Sequence, residues 1–371
     1  MTVSRNILIL CSGFGLGHFI PGLLIRNKLR RLGLAADVAV FESLLPPTKL
    51  DMVERNRRAY HENFIVALTS AKVPTDSSKS LDMSAVESHF LDWERRNLRD
   101  FICISGHWVN VLDLYRERRP NTPVRADLLY LDAERPPSWK WLHKSRPDYA
   151  NGYREFRLYD SAAMQCRYAI DVNAGPLLPW GMRERRLVVH GGGWGMGTFQ
   201  QRTPELANSG FALDLLCYAR SEVTANSSMS RCFMDDPMWR TWHTDAGGDH
   251  QFPPFGQVGI ETPVFASQPD CHGVHRLIRH AMGVVSKAGA GTLIDSFGSA
   301  TPLIFLDPFG PHEYVNSQVW EKSGFGVSYE TWAAAGFPVA MLERLHSNLV
   351  TRRDLVKDYV QEYVDTLLQL D

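Results

Sequence analysis

Residues 6–33 read NILILCSGFGLGHFIPGLLIRNKLRRLG, and residues 187–197 read LVVHGGGWGMG. In the first stretch Ile7–Cys11 is a continuous apolar run of the kind a strand covered on both faces requires. SGFGLGH (12–18) forms a turn, and Ile20, Leu23, Leu24 and Leu29 then recur near the helical period until Gly33 supplies a stop. Asp37 to Phe41 gives a second strand, so the unit is βαβ. The second stretch opens the same way, with Leu187–Val189 running into a glycine-rich turn. Two strand-glycine-helix openings about 180 residues apart predict an α/β protein of two Rossmann-like domains.

Working outward, residues 101–105, 128–132, 282–285 and 302–306 read as further strands, the last two leading into SKAGAGT (286–292) and a polar loop. The boundary is set at Pro179–Gly181: residues 1–180 form the first domain, 181–351 the second, and 352–371 an amphipathic helix. That helix carries Val356, Val360, Tyr363 and Leu367 on one face and packs back across the first domain. Residues 220–262, rich in Asp, His, Trp, Pro and Gly, predict loops and a lid. Residues 136–157 interleave aromatic and basic side chains; an acceptor grip, a membrane contact and a surface loop all fit them.

Length and composition exclude several classes. At 371 residues the chain is too long for one small binding module, and 44% hydrophobic with 22% charged residues is globular. Six scattered cysteines without a C-x-x-C pair read as reduced thiols in a cytoplasmic protein rather than a metal or disulfide framework. The N-terminal apolar run of about five residues falls short of the ~7–15 of a signal peptide. No segment approaches a membrane span, although peripheral contact stays open. A net charge of −1 argues against nucleic acid. It divides as +5 over residues 1–184 (26 basic against 21 acidic side chains) and −6 over the rest, which points to different partners for the two halves.

The first glycine loop departs from the dinucleotide fingerprint. Gly13 and Gly15 fit, but the third position is His18. A histidine at that helix N-terminus faces the crevice above the strand ends, and the helix dipole keeps it neutral and able to accept a proton; the plainer alternative is a helix-capping histidine. Gly15, Gly17 and His107 would line the acceptor side. Asp132 and Glu134 follow a strand end at the same edge, where either would orient His18; both are also ordinary turn residues. In the second domain Gly193 and Gly195 offer backbone N–H groups to an anion. In SKAGAGT, Gly289, Ala290 and Gly291 allow close backbone approach, Thr292 caps or donates, and Lys287 brings a cation, which together describe a diphosphate cradle. Asp295, one helical turn on, is placed to accept from a ribose diol.

These blocks, with SKAGAGTLIDSFGSATPLIFLDPFGPHEYVNSQVWEKSGFGV (286–327), resemble the GT-B glycosyltransferases, particularly the branch holding the lipid II N-acetylglucosaminyltransferase and the galactolipid synthases. The resemblance implies two Rossmann-like domains facing across a cleft, with the nucleotide-sugar in the second and the acceptor in the first. It implies no metal and no cofactor, the nucleotide-sugar being a co-substrate. By position His18 falls on the family's histidine, Lys287 on its diphosphate-side basic residue and Asp295 on its ribose acid. His312 and Glu313 fall where relatives carry Asp-Gln or Gln-Gln on sugar hydroxyls. That pair is a departure, because an ionised Glu313 only accepts whereas Gln also donates. Asn316 belongs to the same set, with helix capping as its alternative. The expected activity is inverting, metal-independent transfer from a UDP- or dTDP-sugar to a hydroxyl or amine of a small-molecule acceptor. Alternatives are a lipid acceptor at the membrane surface, a nucleotide-sugar hydrolase or epimerase, and a catalytically silent partner subunit.

Overall fold

The computed structural model describes residues 5–72, 80–172, 175–260 and 262–369; Leu370 and Asp371, which end the expected C-terminal segment, lie outside them. In the first domain β1 (Asn6–Cys11), β2 (Ala35–Val40), β3 (Asp100–Cys103), β4 (Arg125–Tyr130) and β5 (Arg154–Arg157) form one parallel sheet in the order β2-β1-β3-β4-β5. Its helices are α1 (Leu16–Arg31), α2 (Pro47–Glu62), α3 (Phe64–Ser70), α4 (Met83–Arg95), α5 (Val109–Arg118) and α6 (Pro137–Ser145). Side chains alternate along β1: Ile7 and Ile9 enter the layer beneath α1, while Leu8 and Leu10 enter an aromatic-rich layer with Trp93, Trp108, Tyr115 and Trp139. Both layers are dry, which is why β1 has to be apolar throughout.

The second domain repeats the plan. β6 (Glu184–Val189), β7 (Ala212–Leu216), β8 (Ser230–Asp235), β9 (Phe255–Val258), β10 (Ala281–Ser286), β11 (Leu303–Phe305) and β12 (Gly326–Ser328) pair in the order β9-β8-β7-β6-β10-β11-β12, parallel except for β9. Its helices are α7 (Phe199–Asn208), α8 (Gly273–His280), α9 (Ala290–Ser299), α10 (Pro311–Ser323), α11 (Tyr329–Ala334) and α12 (Val339–Arg353). The expectation of loops throughout 220–262 is therefore corrected: β8 and β9 lie there. Cys232, Phe233 and Met234 bury the centre of β8, and β9 alternates half-buried and buried as a sheet edge does. The aromatic and basic stretch 136–157 is also mostly structural. Trp139 and Leu142 bury one face of α6, Tyr149 packs beside them, and Arg154–Arg157 is β5.

The last helix, α13 (Tyr359–Leu368), returns to the first domain. Its Tyr359 hydroxyl donates to Asp127 on β4 at 3.1 Å, its ring meets Phe156 at 5.4 Å, and the Arg5 guanidinium donates to the Leu367 carbonyl at 3.1 Å. Residues 236–254 cross between the domains as well. Arg26 donates to the His250 carbonyl at 2.6 Å, Arg30 pairs with Asp249 at 2.7 Å, and Phe19 meets Trp239 edge-on at 5.5 Å. All six cysteines are buried and unbridged, and no described helix is long and apolar enough to cross a membrane.

Candidate functional site

The two glycine-led helices meet at their N-termini. A Cβ built on Gly291 of α9 would lie 3.6 Å from the Gly17 Cα of α1, so the backbones pass at van der Waals contact. Inside α1, Pro21 has no N–H to return to the Gly17 carbonyl. The turn after β6 closes onto the same place. A Cβ on Gly193 would meet the Leu16 backbone nitrogen at 2.6 Å, so only glycine lets this turn seat on α1. Gly195, at φ +62, packs on Tyr218, and its carbonyl lies 2.8 Å from His61 Nδ1.

At this crossing His18 is half-buried in the first turn of α1. Burial lowers its pKa; Asp132 pulls it up and His312 pushes it down, leaving it below the ordinary histidine value. The acid near His18 is thus Asp132. Glu134, the other acid proposed to orient it, is exposed and accepts from the Arg135 N–H at 3.0 Å. His107 stacks on Phe41 at 5.0 Å and meets Phe14 edge-on at 5.3 Å, one layer behind the glycine turn.

Asn316 is fully buried and joins the domains instead of capping a helix. Its Nδ2 donates to Asp132 Oδ1 and to the Ala288 carbonyl, each at 2.8 Å, and its Oδ1 accepts from the Ala133 N–H at 2.8 Å. One amide so fixes the strand end that carries Asp132 against the loop that carries Lys287.

Lys287 is 4% exposed. Its ammonium donates to the Gly191 carbonyl at 3.1 Å and lies 3.5 Å from Glu313 Oε1, while Glu313 Oε2 accepts from the Phe309 N–H at 2.6 Å. Gly289 precedes α9 as its N-cap; Ala290 and Thr292 are buried in the first turn. His312 sits in the first turn of α10, 9% exposed, with its ring 6.2 Å from Phe309. Lys287, Glu313 and the two helix N-termini therefore share one buried seam, and the positive end of α9 faces it.

Asp295 lies deeper. His272 Nε2 and His275 Nδ1 both bond its Oδ1, at 2.9 and 3.0 Å. Burial alone would raise its pKa, yet the two histidines hold it well below the usual carboxylate range; the same carboxylate raises His272 against the effect of burial. Sequence reading missed both histidines, although their i, i+3 spacing at the start of α8 was the available signal. The ligand atoms of the three side chains lie within 4.8 Å of one another, the spacing a cation needs, but hydrogen bonds within the cluster already commit Asp295 Oδ1.

Glu42, completely buried at the end of β2, supports the first glycine turn. It accepts from the Gly13 N–H at 2.7 Å and the Ser12 hydroxyl at 3.2 Å. Burial pushes its pKa from 4.5 to about 7. The folded protein therefore binds a proton that the unfolded chain has released between those values, and stability falls as pH rises through this window. Glu42→Gln keeps an acceptor and removes that loss, about 3 kcal/mol for a shift of this size. The variant is expected to unfold at a higher temperature than wild type at pH 8, with the gap closing at pH 4.5; parallel melting curves across pH would rule this out.

No protein-family model matches the chain, and no curated protein matches it by sequence. Solved structures do match. The glycosyltransferase SnogD from Streptomyces nogalater aligns over 100% of both chains at 12% identity and a TM-score of 0.57. Glycosyltransferase SsfS6 from Streptomyces sp. SF2575, complexed with thymidine diphosphate, covers 99% of this chain and 100% of its own at 13% identity and a TM-score of 0.53. MurG from Acinetobacter baumannii covers 99% and 100% at 11% identity and a TM-score of 0.50. MurG is one neighbour among these, so the lipid II and galactolipid branch is not singled out. What the comparisons and the two facing sheets establish is the architecture: the chain has the GT-B fold.

Proposed function

We propose that the protein is an inverting glycosyltransferase that moves a sugar from a nucleoside diphosphate, UDP or dTDP, to a hydroxyl or amine of a small-molecule acceptor. The carrying observation is the seam itself, where a buried ammonium and the positive end of α9 face a histidine on α1 across one pair of glycines. Neutral His18 takes the acceptor proton as the nucleophile attacks the anomeric carbon, and Asp132 stabilises the resulting imidazolium. Charge developing on the departing diphosphate falls to Lys287 and the N–H groups of Gly289 to Thr292, with the Gly193–Gly195 turn on the opposite side. Glu313, which balances Lys287 in the free protein, is displaced toward the sugar hydroxyls. His312 lies with it at the start of α10, and Asp295, oriented by its two histidines, accepts from the ribose. A site that neutralises diphosphate with a lysine and helix amides has no need of a metal ion.

Adding dTDP- or UDP-sugars should raise the melting temperature. Lys287→Ala removes a charged donor worth about 1.5–3 kcal/mol, so calorimetry should show nucleotide diphosphate binding weakened by about 10–150-fold. Equal affinity in the variant would remove Lys287 from the donor site.

A further inference from the structure

A cavity of about 90 Å³ lies where the Gly13–Leu16 turn and α2 meet the ends of β7 and β8 and the segment that follows. It includes no residue of the 286–316 block, and of the groups assigned above to the donor only the Gly193 turn reaches its wall. Its walls carry the rings of Trp194, Tyr218, Trp239 and Trp242. Set among them are polar groups that the fold leaves unmatched. Thr241 is 4% exposed, and its Oγ1 is buried without a hydrogen bond; Arg57 Nε is buried and unpartnered too. The Asp235 carboxylate meets no hydrogen-bond or ion-pair partner among the described residues, and burial raises its pKa to about 6.

Chemistry narrows the occupant. Both signs of charge line the wall: Glu54 already pairs with Arg57 at 3.3 Å and Arg240 at 3.1 Å, which leaves no free guanidinium for an anion, and of the remaining acids Asp235 is pushed by burial toward its neutral form, which weakens the pull on a cation. A flat apolar ligand would cover the rings but leave the unpartnered Asp235 carboxylate dry, at about 1–3 kcal/mol or more. A ring bearing hydroxyls fits better: it donates to Asp235 and rests its C–H face on indole, and a turn of the Thr241 and Arg57 side chains, whose polar atoms are sealed in the free protein with Thr241 Oγ1 against Gly13, lets it meet them as well. At ~10–15 Å³ per water the cavity holds about six to nine waters, the room of one saturated six-membered ring and too little for a nucleotide-sugar.

We infer that this cavity is a subsite for a neutral polyhydroxylated ring of hexopyranose size, read by Asp235, Thr241 and Arg57 against aromatic walls. That the ring belongs to the acceptor rests on the transferase reading; its binding does not. Saturation-transfer NMR on the full chain tests it, using methyl α-D-glucopyranoside, methyl β-D-galactopyranoside and methyl α-L-rhamnopyranoside, with 1-naphthol as the flat apolar probe. At least one glycoside should receive magnetisation, and Asp235→Leu and Thr241→Val should each weaken its binding by about tenfold. Nucleotide binding, followed by calorimetry, should stay unchanged in both variants. Thr241→Val alone decides if Asp235→Leu does not fold. Transfer to none of the glycosides, equal binding in the variants, or capture of 1-naphthol only would overturn the subsite. Glycoside binding without any nucleotide binding would sink the transferase reading and leave the subsite standing.

Discussion

Replacing His18 by alanine is expected to lower turnover by about 10²–10⁴-fold, the range a positioned general base supplies, while nucleotide diphosphate affinity stays within about twofold. The separation follows from position, because His18 belongs to α1 whereas the diphosphate contacts belong to Lys287 and α9. The pH profile adds a second readout. Burial holds the His18 pKa below the ordinary 6.5, so the neutral, proton-accepting form persists into mildly acidic solution. The acid limb of kcat should accordingly fall below pH 6.5 and vanish in the alanine variant. Turnover unchanged by the substitution, at any pH, would remove His18 from the chemistry.

The largest effect on stability is expected from Asn316→Ala. Truncation strands the Ala133 N–H, the Ala288 carbonyl and Asp132 Oδ1 in an interior where Asn316 is 0% exposed. Each stranded group costs about 1–3 kcal/mol, so the three sum to about 3–9 kcal/mol. The melting midpoint should drop by roughly 5–10 °C. Turnover should fall as well, because the same amide sets Asp132 beside the Lys287 loop. A midpoint within about 1 °C of wild type would mean that the domains are registered by other contacts.

The buried strands and glycine turns were readable because their demands are local. Ile7–Cys11 has to be apolar because both faces of β1 are covered, and SGFGLGH has to be glycine-rich because another turn sits on it. β6 begins at Glu184, three residues before the apolar run starts, since Glu184, Arg185 and Arg186 carry no strand signal of their own. β8 and β9 escaped notice for a related reason. They form the sheet edge, where only one face is covered and four to six residues give little periodicity. In the candidate site, Lys287 and His18 announced themselves through flanking glycines. The partnership of Asn316 with Asp132 did not, because it spans 184 positions and depends on how the two domains dock. Glu134 and Asp132 were equivalent on paper; the direction of the chain after β4 buries one and exposes the other. Trp239 to Trp242 read as part of an irregular segment, and only the packing of Thr241 on Gly13 and of Trp239 on Phe19 makes it a cleft wall.

The return of α13 bears on how the protein is made. Asp127, buried in the middle of the first sheet, is matched by Arg154 and by the hydroxyl of Tyr359, and Tyr359, Val360, Tyr363 and Leu367 belong to the same apolar layer as Ile7 and Ile9. On the ribosome the first five strands therefore emerge with one side of their core covered by α1 alone. They stay so while the whole second domain is synthesised, roughly 10–40 s at ordinary elongation rates. The two halves cannot mature as independent beads on a string: the first is finished only by a helix made after the whole of the second.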